Sequence, residues 1–260
     1  LWPRWGARAE GLEFSGRRYC SPACAEGAFA SEFEGHLLAA RQERQRPHRV
    51  PLGLLLVSRG LISPAQLQEG LLRQRARPAL RLGRLLLEMK ALEESPLTAA
   101  LGVQWGCPVF PLQARRPEPD CAGLVPRALL HARGMLPAHH APATGVLHLA
   151  CTQRIDHTLL YAIERMCALR AVPCVAPDRL VAAALGRLAA SPAEESLFDS
   201  VRGPRDMAHL AAGYAARLGA QRVRAAWAAG HLWVRFENDR GWHHLLFHCP
   251  PQTLPATPSR

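Results

Sequence analysis

The chain writes nearly the same phrase twice: PLGLLLVSRGLISPAQLQEGLLRQ over residues 51–74 and RLGRLLLEMKALEESPLTAALGVQ over residues 81–104. Both copies place Leu-Gly after their first residue (Leu52-Gly53, Leu82-Gly83), then a leucine pair (Leu55-Leu56, Leu85-Leu86). Later leucines also recur (Leu67 and Leu71, Leu97 and Leu101), and each copy ends on glutamine, Gln74 and Gln104. Leucines at this spacing predict short helices with one apolar face. In the first copy Leu52, Leu55 and Leu56 open a helix that stops at Gly60, and Ser63-Pro64 restarts one with serine as N-cap and proline as first helical residue. In the second, Ser95-Pro96 is the corresponding signal; it falls two positions later in the repeat, which predicts a shorter second helix. Hairpins this short cannot bury their faces alone, so the two copies are expected to pack on each other as a small bundle. Leucine packing does not by itself explain Gly53 and Gly83, where glycine costs about 1 kcal/mol relative to alanine. Nor does it explain a glutamine closing both copies.

Outward from the repeat, the pattern changes character. Residues 1–26 read as irregular, and Phe29, Phe33 and Leu37 predict a helix from Ala28 to about Gln45. After a loop at 112–120, GMLPA and GVLHLAC read as strands around a Pro142–Gly145 turn. A helix from Asp156 to about Leu169, the buried strand AVPCVA, and a helix from Asp178 to Leu188 capped by its aspartate complete a small α/β layer. AASPAEES reads as a linker to a last module with a helix near 205–218 and three strand-like runs, whose alternation at Val223, Leu232, Val234 and Phe236 predicts a half-buried meander. The expected class is α+β: a helical bundle from a tandem repeat, a small α/β layer, and a C-terminal helix plus antiparallel meander. The expected division is 1–48, 49–111, 112–190 and 191–260.

Composition excludes several classes. With 48% hydrophobic residues in 260, a packed core is available and wholesale disorder is excluded. No apolar run reaches the roughly 18–20 residues that a membrane-spanning helix needs. The formal net charge of +11 points towards nucleic acid, yet Lys90 is the single lysine among 32 basic residues. Such lopsided arginine usage reflects coding composition more than phosphate binding, and only Arg41, Arg44, Arg46 and Arg49 cluster, so a nucleic-acid role is not expected. Lys90 sits between Met89 and Ala91, so the chain holds no phosphate loop of the Walker type, which requires Gly-Lys-Ser/Thr. No nucleophile–base or paired-carboxylate arrangement can be argued from spacing, and the chain is not expected to be an enzyme. Eight scattered cysteines, several in apolar runs, read as reduced, mostly buried thiols of a cytoplasmic protein.

The repeat resembles the MshEN-type N-terminal domain of type II secretion and type IV pilus assembly ATPases, here without an ATPase domain. In that family two tandem 24-residue motifs, opening Arg-Leu-Gly and closing on glutamine, bind the bacterial second messenger cyclic di-GMP. The resemblance runs over about 49–189, including QWGCPVFPL and LVPRALLHARGMLPA. It implies a nucleotide site built from Leu52, Gly53, Leu56, Gly60 and Gln74 of the first copy and Arg81, Leu82, Gly83, Leu86 and Gln104 of the second. The chemistry suits a ligand of two guanylate halves: arginine pairs with a guanine edge or a phosphate, glycine admits close backbone approach, leucines cover base faces, and glutamine donates and accepts. Two positions depart from the motif. Pro51 stands where the first copy would carry arginine, and Lys90 stands where the second would carry glycine. The resemblance therefore implies a cytoplasmic regulatory adaptor that binds cyclic di-GMP and docks on secretion or pilus motor proteins. The competing expectation is a protein-interaction module whose nucleotide site has degenerated.

Two further clusters carry expectations. YCSPACA resembles half of a zinc knuckle, but upstream Trp2 and Trp5 stand where its other two cysteines would. Cys20 and Cys24 alone cannot complete four-coordinate zinc, so no metal site is expected, with His36 the nearby residue that could partly complete one. WHHLLFHC places His243, His244 and His248 on a strand, where they read as solvated residues, as do His139 and His140.

Overall fold

The computed structural model describes residues 11–42, 50–113, 117, 121, 123–152, 155–188 and 195–249. The first described segment is a hairpin, β1 (Leu12–Phe14) and β2 (Arg17–Tyr19), turning through Ser15 and Gly16, both with positive φ. It feeds directly into α1 (Pro22–Gln42). The hairpin was not expected, because three-residue strands carry too little alternation to read, and α1 starts six residues earlier than Phe29, Phe33 and Leu37 suggest.

The repeat follows as α2 (Leu52–Ser58), α3 (Pro64–Ala76), α4 (Leu82–Glu88) and α5 (Glu94–Trp105). Next come α6 (Arg127–Arg133), β3 (Met135–Ala141), β4 (Val146–Cys151), α7 (His157–Cys167), β5 (Arg170–Val175) and α8 (Asp178–Arg187). Strands β3, β4 and β5 form a sheet in that order, antiparallel then parallel. Asp156, read from sequence as the first residue of the helix, is its N-cap, its carboxylate accepting from the Leu159 amide at 3.1 Å. Asp178 is not a cap: Pro177 occupies that position, and the aspartate lies inside the first turn.

The chain ends with β6 (Glu195–Phe198), α9 (Pro204–Leu218), β7 (Arg222–Ala228), β8 (His231–Asn238) and β9 (Gly241–His248). Glu195 and Ser196, read from sequence as linker, belong to strand β6. The Glu195 carboxylate also accepts from the amides of Arg127 and Ala128 at 2.9 and 3.2 Å, satisfying the open start of α6.

These last strands join the first ones. The sheet order is β2-β1-β7-β8-β9-β6, with β1 parallel to β7 through Phe14 and Val223. Segments 1–48 and 191–260, separate in the sequence reading, thus contribute to one six-stranded sheet. One face packs on α1 and α9 through Phe14, Phe29, Phe33, Leu37, Ala208, Ala211, Val234, Phe236 and Phe247. The opposite face meets the α/β layer: Ala226, Trp233 and Leu246 share a core with Leu129, Leu149, Ile163 and Met166. The meander is therefore buried on both faces, not half-buried, and β8 reads as an almost continuous apolar run for that reason.

Double burial forces the polar residues of the central strands to find partners. Arg235 pairs with Glu237 at 3.0 Å, lies over the Trp242 ring at 4.6 Å and donates to the Cys167 sulfur at 3.2 Å. Arg224 reaches across to the Met166 carbonyl at 2.8 Å. Of the three β9 histidines expected to be solvated, His248 is exposed, but His243 and His244 are buried. His244 Nδ1 accepts from the Trp233 indole at 3.1 Å, and Nε2 lies 2.8 Å from the Gly123 carbonyl. An indole N–H can only donate, so Nδ1 is bare and Nε2 carries the proton. Burial, opposed only in part by the Gly123 bond, pushes the His244 pKa down to about 3.

That shift makes a pH prediction. A histidine neutral in the fold but basic when unfolded lets the unfolded chain bind an extra proton as pH falls below about 6.5. Stability should therefore be complete above that value and decline towards pH 3, by up to about 1.4 kcal/mol per pH unit for this group. Urea melts at pH 7 and pH 5 should show a smaller loss for His244→Gln than for the parent chain. Equal losses would assign the acid sensitivity to other groups.

Candidate functional site

The two copies of the repeat fold alike, down to individual hydrogen bonds. Pro51 and Arg81 are the N-caps of α2 and α4, and their carbonyls accept from Leu55 and Leu85, both at 3.1 Å. Each helix ends in the same left-handed closure: Leu61 donates to Leu56 and Ala91 to Leu86, both at 3.0 Å. Gly60 and Lys90 sit at the left-handed residue, with φ of 65° and 54°. The departure at Lys90 has therefore kept the backbone shape that glycine favours.

The second helices differ from expectation. Ser63 makes the predicted cap, a full capping box with Gln66. In the second copy the helix starts at Glu94 with Glu93 as N-cap, the repeat position that Ser63 occupies in the first, and Ser95-Pro96 lies inside it. The expected delay does not occur, and α5 is 12 residues long against 13 for α3. Tertiary register between the copies outweighs the local capping signal.

Packing does account for the glycines. A Cβ on Gly53 would stand 2.5 Å from Leu67 Cδ1 and 3.3 Å from Leu82 Cδ2. A Cβ on Gly83 would stand 3.2 Å from both methyls of Leu97 and 3.7 Å from Leu52 Cδ2. Each glycine thus receives a leucine of its own copy and the Leu-Gly leucine of the other. Gly70, matched in the second copy by buried Ala100, provides a third close approach, to Leu82 and Leu86. Small residues at that shared position were a readable sign of helix contact that sequence reasoning passed over.

Hydrogen bonding accounts for the glutamines. Gln74 Nε2 donates to the Leu80 carbonyl at 3.1 Å, and Gln104 Nε2 donates to the Val50 carbonyl at 2.7 Å. Leu80 and Val50 each immediately precede a copy, so the end of one copy ties to the start of the other in both directions. Each glutamine keeps its side-chain oxygen as an acceptor for other groups.

The ten predicted site residues divide by exposure. Leu56 and Leu86 are fully buried at the centre of the bundle. Gly53 and Gly83 are buried under leucines, while Leu52, Leu82, Gln74 and Gln104 are half-buried. Gly60 and Arg81 are exposed. Around them Val50, Leu54, Leu71 and Leu72 leave apolar surface in solvent. Cations near the second copy are partly engaged: Arg77 and Arg84 both pair with Glu88, at 3.1 and 3.3 Å. Clefts of about 1280 and 180 Å³ border the N-terminal hairpin, and no residue of the repeat lines either. What the repeat offers is a surface of two matched helix starts, one capped by a cation and one by proline. It is tethered to the α/β layer by Arg179 and Glu94 at 2.6 Å, and by the Val109–Val175 bridge that follows α5.

The zinc-knuckle positions Trp2 and Trp5 lie outside the described residues, as do Arg44, Arg46 and Arg49. His36 pairs with Glu32 at 3.6 Å. It lies about 18 Å along α1 from Cys24 at 1.5 Å per residue, so it cannot join the two cysteines.

Part of the chain is similar to a known family. Residues 105–195 match the model of the MshEN domain. Over 90 residues the chain is 37% identical to the type IV pilus assembly ATPase PilB of Myxococcus xanthus (strain DK1622), covering 35% of this chain and 16% of that protein. The chain thus spans less than a fifth of the length of this relative. A solved structure of MshE with cdg is 26% identical, with a TM-score of 0.46, covering 54% of this chain and 99% of that one. The N-terminal domain of XpsE is 17% identical, with a TM-score of 0.40, over 52% and 92%. The match to the MshEN domain begins at Trp105, immediately after Gln104. No described helix is long and apolar enough to cross a membrane.

Two substitutions test the interlock. Gly53→Val would drive two methyls into Leu67 and Leu82, and should cost roughly 1–3 kcal/mol in urea unfolding; stability equal to the parent would mean the copies do not rest on this contact. Lys90→Gly should raise stability by about 1 kcal/mol, because glycine adopts a left-handed backbone without the Cβ clash. A lower melting temperature would instead assign the Lys90 side chain a stabilising contact.

Proposed function

We propose that the chain is a regulatory adaptor of the cytoplasm whose MshEN domain takes cyclic di-GMP on the tandem repeat and passes its occupancy to a pilus- or secretion-machinery partner. The observation that carries this reading is the matched pair of Leu-Gly helix starts, folded against each other with near two-fold equivalence. A ligand made of two guanylate halves presents the same groups twice, and a duplicated surface meets it at lower cost than two unrelated ones. Arg81 supplies the cation for a guanine acceptor edge or a phosphate. Exposed Leu54 and Leu71 and half-buried Leu52 and Leu82 offer apolar cover to the bases, and the free oxygens of Gln74 and Gln104 offer acceptors.

A second reading is favoured by one specific finding. Gly53, Gly83, Gln74 and Gln104 all have internal duties in the bundle, so their recurrence follows from packing without any nucleotide. On that reading the repeat is an interaction scaffold, and the exposed leucines serve a protein partner.

Calorimetric titration with cyclic di-GMP separates the two. Arg81→Ala should abolish detectable binding, since the second copy alone retains its arginine. Pro51→Arg should tighten binding by about five- to 150-fold, the equivalent of roughly 1–3 kcal/mol for one restored guanine pairing. The backbone already allows it, because Pro51 and Arg81 hold similar cap geometry, with ψ of 134° and 149°. Thermal melts establish that all three proteins are folded. Absence of binding by parent and Pro51→Arg alike at millimolar ligand decides for the scaffold.

A further inference from the structure

The cysteines fall into two populations. Cys121, Cys151, Cys174 and Cys249 are buried, and Cys107 and Cys167 are half-buried. Burial pushes the Cys174 thiol up to about 12 and those of Cys167 and Cys249 up to about 11, and raises Cys151 still further. Thiols held protonated and covered are poor nucleophiles. Cys20 and Cys24 are different: both are exposed, and their sulfurs lie 3.0 Å apart with Cys20 donating to Cys24.

The local chain explains the approach. Cys20 directly follows β2, and Cys24 lies in the first turn of α1, which begins at Pro22. Ser21 between them turns its hydroxyl onto the Cys24 amide at 3.3 Å, folding the connection tightly and bringing the two side chains to one side. The hydrogen bond from Cys20, and then that from Ser21, holds the Cys24 thiol below its ordinary value. The start of a 21-residue helix adds a favourable field for a thiolate. Cys20 also lines the open cleft of about 1280 Å³ beside Arg18 and Arg222, so a small oxidant and a larger reductant can both approach.

We infer that Cys20 and Cys24 form a reversible dithiol–disulfide site that reacts selectively with hydroperoxides. Cys24 thiolate attacks the peroxide oxygen, the O–O bond breaks and hydroxide leaves, giving a sulfenic acid on Cys24. Cys20 then attacks the Cys24 sulfur, forming the S–S bond as the sulfenic oxygen departs with the Cys20 proton as water. Two thiols are oxidised by two electrons, and one peroxide is reduced to two oxygen-bearing products, water and, for an organic peroxide, an alcohol. A dithiol reductant reverses the bond. The site does not depend on nucleotide binding by the repeat.

The experiment uses the full reduced chain treated with stoichiometric hydrogen peroxide, then alkylated and mapped by mass spectrometry. Loss of two thiols and two hydrogens per chain, recovery of a peptide joining Cys20 to Cys24, and full reversal by dithiothreitol are expected. Cys20→Ser should leave Cys24 trapped as a sulfenic acid that reacts with dimedone. Cys24→Ser should slow peroxide consumption at least tenfold, with circular dichroism establishing that it is folded. An unchanged rate in Cys24→Ser, a crosslink between other cysteines, or thiols that react only after a chelator strips metal from them would each overturn the proposal.

Discussion

Burial of the central sheet on both faces is the constraint from which the rest of the architecture follows. Strands β8 and β9 send Val234, Phe236 and Phe247 towards α1 and α9, and Trp233 and Leu246 towards the α/β layer. A polar group on a strand in that position is costly unless it is paired. The consequence is visible in Arg235 and His244, each buried in the middle of the molecule and each partnered. His244 links Trp233 to the Gly123 carbonyl, while Arg235 and Arg224 reach the Cys167–Met166 end of α7. The same strands therefore hold the N-terminal helix, the C-terminal helix and the family-matched layer in one body.

Within the repeat, the organising contact is smaller in scale. Two glycines accept two leucines each, one from either copy, and two glutamines tie the end of each copy to the start of the other. Each glycine and each glutamine in this set makes a contact that exists only when both copies are present. Duplication is thus a structural requirement before it is a functional one, since a lone hairpin would leave Leu52 and Gly53 without their partners Gly83 and Leu82. This double use has a bearing on how recurrence is read. The recurring residues are compatible with a two-fold ligand, but the non-recurring pair, Pro51 and Arg81, is what distinguishes binding from scaffolding.

The six-stranded sheet meets the segment that matches the MshEN model. Residues 105–195 end at the first residue of β6. Glu195 accepts from the start of α6, and Arg179 meets Glu94 of the repeat. A displacement of the repeat would accordingly be felt through α8 and β5.

By itself the sequence determined the helical repeat, its duplication, the strand–helix order from Met135 to Leu188 and the three strands of the last module. Each is a local property, set by leucine spacing, by alternation, or by a cap such as Ser63. Only the tertiary structure decided that β1 pairs with β7, that the meander is covered twice, and that α5 begins at Glu94 in spite of Ser95-Pro96. Those outcomes rest on contacts between residues far apart in the chain, for which periodicity carries no signal. The glycines and glutamines stand between the two. Their recurrence was plain in the sequence, but its cause lay in a leucine of the other copy pressing where a Cβ would be, and in a carbonyl some fifty residues from Gln104 that the folded chain brings within 2.7 Å.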